Sequence, residues 1–289
     1  MDYLDYWGLE DAPFEEDGNP KFFYESIDHQ EALERLRYVI ESTNMNMGLL
    51  TGEIGAGKTM TRNVLIQELL SEDDPNFVVT LDTSAFRYID ILKEILCQLL
   101  NVDPERLPSN KYSLIKRIKS FLETEVVPMN KQVYIFLDEA QRIAQKYLDS
   151  LKDLTNIKYD YKSPITLIFI GQPNLLKNII ELPQVYQRIG MRYHLNHMTK
   201  KDTFNYIRHR LAKAGLDKEI FTQDAYNLIY SKTIGVPREI NRACKIALDF
   251  GFTEEMEMID KKTMSIIFCD FYRYDRRKVG TEIVGIERR

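Results

Sequence analysis

Runs rich in apolar residues at 47–50, 77–81, 133–137 and 165–170 have the length of strands. Those at 133–137 and 165–170 lack the alternation of a sheet with one wet face, so they predict strands covered on both sides, as in a parallel sheet. A last short strand is predicted at 191–195. Between the strands the apolar spacing becomes helical. Val64, Leu65, Leu69 and Leu70 predict a helix after the first run, and residues 88–100, 112–122 and a stretch from about Gln141 predict others. Ala32, Leu33, Leu36, Val39 and Ile40 line an amphipathic helix beginning at Asp28. Strands alternating with helices predict an α/β fold on a parallel sheet, here over residues 26–198.

From Thr199 the pattern is helical only, at 202–214, 223–231, 237–250 and 260–272, which predicts a separate helical domain over 199–272. Residues 1–25 form an aromatic-rich arm with Tyr3, Tyr6, Trp7 and Phe14. Such rings are costly to leave in water, so the arm is expected to pack on the main domain. Residues 273–289 carry many charges and little apolar repetition, and are expected to form an extended or mobile basic tail.

The turn after the first run concentrates the chemistry. Gly52-Glu53-Ile54-Gly55-Ala56-Gly57-Lys58-Thr59 fits the phosphate-binding loop G-x-x-x-x-G-K-[ST] at every fixed position, between a predicted strand and a predicted helix. Gly52, Gly55 and Gly57 let backbone N–H groups converge on anionic oxygens at the positive end of the helix. Lys58 is then expected at the β- and γ-phosphates and the Thr59 hydroxyl on magnesium, with Met60 ending the nucleotide-contacting stretch.

Asp138-Glu139 closes the 133–137 strand, where a metal-coordinating carboxylate belongs. Glu139 beside it has the place of a general base for the attacking water, and a helix cap is the rival reading of the pair. Gly171-Gln172-Pro173-Asn174 ends the next strand; Gln172, then Asn174, would hold the water or the γ-phosphate, unless these are ordinary turn residues. Arg238 begins a helix after a Gly-Val-Pro turn and would reach back to the γ-phosphate. Arg188, just before the last strand, and Arg192, at its start, have the place of an arginine finger supplied to a neighbouring subunit. Solvated or paired arginines are the alternative for all three.

Charge and cysteine usage narrow the remainder. A formal net charge of -5 gives no global attraction to nucleic acid, so any such contact needs a local patch. Lys111, Lys116, Arg117 and Lys119 cluster on one predicted helix, with Arg87 and Lys93 flanking the helix before it. These six are the candidate DNA contacts, against a plain solvated face. Cys97, Cys244 and Cys269 sit far apart in apolar helical contexts and read as buried free thiols of a reducing cytoplasm. His194, His197 and His209 read as structural or surface residues. The acidic N-terminus lacks the features of a signal peptide, and no apolar run approaches the roughly 20 residues of a membrane span.

At this point the chain resembles a known group. The phosphate loop, Asp138-Glu139-Ala140-Gln141, Gly171-Gln172-Pro173-Asn174-Leu175 and Gly235-Val236-Pro237-Arg238-Glu239-Ile240-Asn241 are similar to those of the AAA+ ATPases of the ExeA and TnsC/TniB group. So are Tyr6-Trp7-Gly8-Leu9, Pro13-Phe14, His29-Gln30-Glu31-Ala32-Leu33, and Gln187-Arg188-Ile189 followed by Tyr193-His194-Leu195. The resemblance implies an α/β nucleotide-binding domain with a helical lid, ATP and Mg2+ as cofactors, and ATP hydrolysis. It gives Lys58, Thr59, Asp138 and Glu139 the phosphate, metal and hydrolysis roles, Gln172 and Arg238 the sensor roles, and Arg188 the finger. ExeA-type proteins continue into a membrane span and a peptidoglycan-binding domain, and neither is expected in this chain. The TnsC/TniB branch is compact, polymerises on double-stranded DNA with ATP as ring or filament, and recruits a transposase with its target-selection proteins. That branch is the leading expectation, as a cytoplasmic protein without membrane contact. An ExeA-like assembly ATPase for a secretion or envelope complex is the alternative.

Overall fold

The computed structural model describes residues 2–16, 18–42, 44–71, 76–82 and 87–279, with side chains described to residue 270. The chain divides into two compact units, Ile27–Asn196 and Met1–Ser26 together with the chain from His197 onward. Helices α1 (Tyr3–Trp7), α2 (Ile27–Glu41), α3 (Lys58–Leu70), α4 (Tyr88–Leu100), α5 (Lys111–Phe121), α6 (Gln145–Leu151), α7 (Pro173–Ile180) and α8 (Pro183–Tyr186) precede the purely helical stretch. That stretch holds α9 (Lys200–Lys213), α10 (Gln223–Thr233), α11 (Pro237–Thr253) and α12 (Lys261–Val279).

In the first unit, β1 (Met47–Gly52), β2 (Phe77–Asp82), β3 (Val133–Asp138), β4 (Ile165–Gly171) and β5 (Met191–Leu195) pair in the order β2-β3-β4-β1-β5. Every pairing is parallel, which confirms the predicted α/β class. The three inner strands are buried at every position, as their apolar-rich runs require, while the outer strands β2 and β5 alternate. Leu49, Ile135, Leu137, Leu167 and Phe169 share one core with Ile91, Leu92, Ile95 and Leu96 of α4, Leu114 and Ile118 of α5, and Ile179 of α7. Each such side chain contributes about 1.5–3 kcal/mol by leaving water. Asp28, at the start of α2, accepts from the Asn196 amide and the Tyr193 hydroxyl, fixing that helix to the end of β5.

In the second unit the arm departs from expectation. It is part of the helical unit: Trp7, Leu9, Phe14 and Phe22 share the core of α9–α12. The physical reason is a fitted slot. The Trp7 indole donates to the Leu248 carbonyl at 3.0 Å and lies over Gly251, where an added Cβ would come within 2.6 Å of the ring. Buried Arg210 ties the arm down further, donating to the carbonyls of Pro13 and Glu15 and to the Tyr206 hydroxyl.

Other local readings also shift. The helix expected from Gln141 begins only at Gln145, because Glu139 is left-handed and Ile143 extended, leaving a 3-10 turn at Ala140–Arg142. The last helix runs past residue 272 to Val279, since no Gly or Pro interrupts it before Gly280. The rest of the expected tail, 280–289, lies outside the described residues. Cys244 is buried and Cys97 half-buried, but Cys269 is exposed on the outer side of α12, so the expectation of three buried thiols fails there. No described helix is long and apolar enough to cross a membrane.

Candidate nucleotide site at the sheet edge

The loop between β1 and α3 closes on itself. Gly55 and Gly57 have φ of 79° and 101°, where side-chain-bearing residues are strained. Gly57 has a second constraint: an added Cβ would lie 2.6 Å from Nε2 of the buried His29. A Cβ on Gly52 would lie 2.8 Å from the Leu195 carbonyl. Lys58 is buried, and its ammonium donates to the carbonyls of Gly52 and Glu53 at 2.8 Å each. The first turn of α3 has no side-chain cap, so its N–H groups are left for an anion. A cradle that a Cβ would fill, an uncapped helix start and an inward lysine fit a polyphosphate.

Two strands away, β3 delivers Asp138 to the same edge, buried at 3 % exposure. Its Oδ2 accepts from the Thr59 hydroxyl at 3.0 Å and from Arg62 at 2.9 Å, and its Oδ1 from the Glu139 amide at 2.8 Å. A hydroxyl and a carboxylate in contact are hard oxygen donors of the kind Mg2+ takes, so these residues fit the ion. Glu139 has φ of 50°, an unusual backbone for this residue. Its Oε2 accepts from Gln141 Nε2 at 2.7 Å and lies 3.5 Å from Gln172 Nε2. Gln141 also accepts from the Gln172 amide at 3.0 Å, and Gly171 has no Cβ to block that contact.

The edge therefore brings together the loop from Gly52 to Met60, Asp138, Glu139 and Gln172. Arg188 donates to Asn156 Oδ1 at 2.5 Å, and Arg192 stacks on the Tyr186 ring at 4.1 Å. Arg238 belongs to the helical unit, where it pairs with Glu16 at 3.1 Å. His194 lies 3.1 Å from the Thr51 hydroxyl, while His197 and His209 are in the helical unit. Among the described residues no group of three or more His, Cys, Asp or Glu is arranged to hold a metal ion.

The six basic candidates divide. Arg87 pairs with Asp90 at 3.0 Å, Lys93 is half-buried, and Lys111 sits 4.9 Å over the Tyr88 ring. Lys116, Arg117 and Lys119 are exposed on α5 with no acidic partner among the described residues.

Sequence reasoning missed Arg62, and quoted Gln141 and His29 without giving them roles. The available signal for Arg62 was its place in a buried stripe with Lys58, Thr61, Leu65 and Leu69 on α3. A cation in such a stripe needs a buried partner.

Residues 41–179 match the AAA domain family. The general secretion pathway protein A of Aeromonas hydrophila is 32% identical over 255 residues, covering 86% of this chain and 45% of that protein. The chain thus spans just under half of that relative's length. The crystal structure of Cdc6p from Pyrobaculum aerophilum superposes with a TM-score of 0.70 at 19% identity, covering 87% of this chain and 68% of that one. The Aeropyrum pernix ORC1 protein, in complex with DNA, gives a TM-score of 0.65 at 15% identity over 87% and 66% of the two chains. At such identities the structures speak for the fold alone. With a complete phosphate loop on this sheet order, the matched residues 41–179 have the fold and the phosphate-binding motif of an AAA-type P-loop ATPase domain.

Proposed function

We propose that this ATPase assembles with ATP on double-stranded DNA, as a ring or helical filament, and regulates transposition by recruiting and activating a transposase with its target-selection proteins. In this reading the loop amides and Lys58 hold the β- and γ-phosphates. Glu139 takes the proton of the attacking water, and Gln172 orients that water or the γ-phosphate. Thr59 and Asp138 would hold Mg2+, which neutralises charge on the phosphates when bound. Arg238 from the helical unit and Arg188 from a neighbouring subunit complete the clamp.

The observation that carries the DNA assignment is the outer face of α5. Lys116, Arg117 and Lys119 are exposed and unpaired among the described residues of a protein with net charge -5. Repeated along an assembly, even three phosphate contacts per subunit sum to a strong, salt-sensitive attraction. The transposase part rests on the motif resemblance. The test is duplex-DNA binding with and without ATP at two salt concentrations: ATP-promoted, salt-weakened binding is expected, and its absence removes this reading.

The 32% identity to general secretion pathway protein A favours a second reading, an ATPase that assembles a secretion or envelope complex through protein contacts alone. It predicts ATP-dependent self-association that is indifferent to DNA.

A further inference from the structure

Arg62 lies one helical turn after Lys58 on α3, with 7 % of its surface exposed. Its Nη1 donates to Asp138 Oδ2 and to Asp82 Oδ1, both at 2.9 Å, while Nε and Nη2 hold Asn63 Oδ1 at 3.2 and 3.0 Å. Asp82 and Asp138 are register partners at the ends of β2 and β3. Two carboxylates thus meet on adjacent strand ends with one guanidinium bridging them. The two arms are unequal. The Asp82 side chain is 79% exposed and solvent-screened, whereas that of Asp138 is 4% exposed and unscreened.

The Asp138 carboxylate accepts from Thr59 and Arg62 on Oδ2 and from the Glu139 amide on Oδ1. Without Arg62 the buried carboxylate would lose a charged donor that helps fix its plane. Arg62 also places a fixed positive charge beside the two oxygens that would hold Mg2+. A cation arriving there meets repulsion unless the guanidinium can shift its weight to another acceptor. Asp82, exposed and already in contact, is that acceptor.

We infer that Arg62 is a positioning residue for Asp138 that also sets the magnesium requirement, with Asp82 as its second partner. This rests on the proposed magnesium role of Asp138. When Mg2+ and ATP bind, Arg62 gives up part of its hold on Oδ2 and leans on Asp82, so the acid stays oriented while its oxygen is released. A single nitrogen of Arg62, Nη1, reaches both strand ends.

The test is a magnesium titration of two readouts, fluorescent ATP-analogue binding and steady-state hydrolysis, on wild type, Arg62→Ala, Arg62→Lys, Asp82→Asn and Asp138→Asn. Melting curves identify the folded variants. Arg62→Ala is expected to bind nucleotide without magnesium nearly as wild type does. It should need about threefold less magnesium for half-saturation, from the lost repulsion, and its kcat should fall about 10- to 100-fold from the misplaced acid. Arg62→Lys keeps the charge, so its magnesium requirement stays near wild type and its kcat recovers in part. Asp82→Asn removes the second partner and raises the magnesium requirement. An Arg62→Ala protein with unchanged magnesium requirement and kcat would overturn the inference, as would an Arg62→Lys protein no better than Arg62→Ala. If Arg62→Ala does not fold, an unchanged magnesium requirement in Asp82→Asn overturns it. A wild-type magnesium requirement in Asp138→Asn would instead overturn the reading of Asp138 itself, and the Arg62 inference with it.

Discussion

Charge gathers at two places on the α/β unit, and the two use it differently. At the sheet edge three charges have partners inside the protein: Lys58 on loop carbonyls, Arg62 on Asp138, Glu139 on Gln141. On the outer face of α5, Lys116, Arg117 and Lys119 have no acidic partner among the described residues. Internal pairing fixes atoms in place, which a reaction on a phosphate needs. Unpaired surface cations fix nothing, but they keep their full attraction for a polyanion from outside. The edge has the form chemistry needs, and in the proposed reading the α5 face serves association.

The largest break in this contrast is Lys58→Ala. Removing the one inward cation of the cradle should abolish ATP binding and hydrolysis, by at least about 100-fold, read by nucleotide titration. Next comes the joint replacement of Lys116, Arg117 and Lys119 by serine. If each meets one phosphate, the slope of log affinity against log salt should fall by about 2.7, and DNA affinity near physiological salt with it. An unchanged slope would move the DNA contact off α5. Gly57→Ala sharpens the other side. Its Cβ would press on His29 from a backbone at φ 101°, so nucleotide affinity and melting temperature should both drop, at a strain of about 1–3 kcal/mol. Arg87→Ala should do least. Already committed to Asp90, it should leave DNA affinity within about twofold, as an exposed ion pair contributes little.

Much of this was legible in the sequence because the physics is local. Apolar-rich runs marked the inner strands, and the glycines of the loop announced a backbone that only glycine tolerates. What escaped was settled by partners distant in sequence. Arg62 reads as one more helix cation until Asp138, 76 residues away, is seen beside it. Arg87 looked as available as Lys116 until its bond to Asp90 appeared. Trp7 announced that the arm must be buried, but not that its slot lies at Gly251, with the indole bonded to Leu248, 241 residues on. Gln141 looked like part of a motif, and only the fold shows it joining Glu139 to the tip of β4.

The most direct test of the account is single-turnover ATP hydrolysis by Glu139→Gln, measured beside its affinity for ATP. The account predicts that ATP stays bound with near wild-type affinity while the chemical step slows by about 100- to 10,000-fold, because the water loses its base and the cradle is untouched. A Glu139→Gln protein that turns over ATP at the wild-type rate would contradict it.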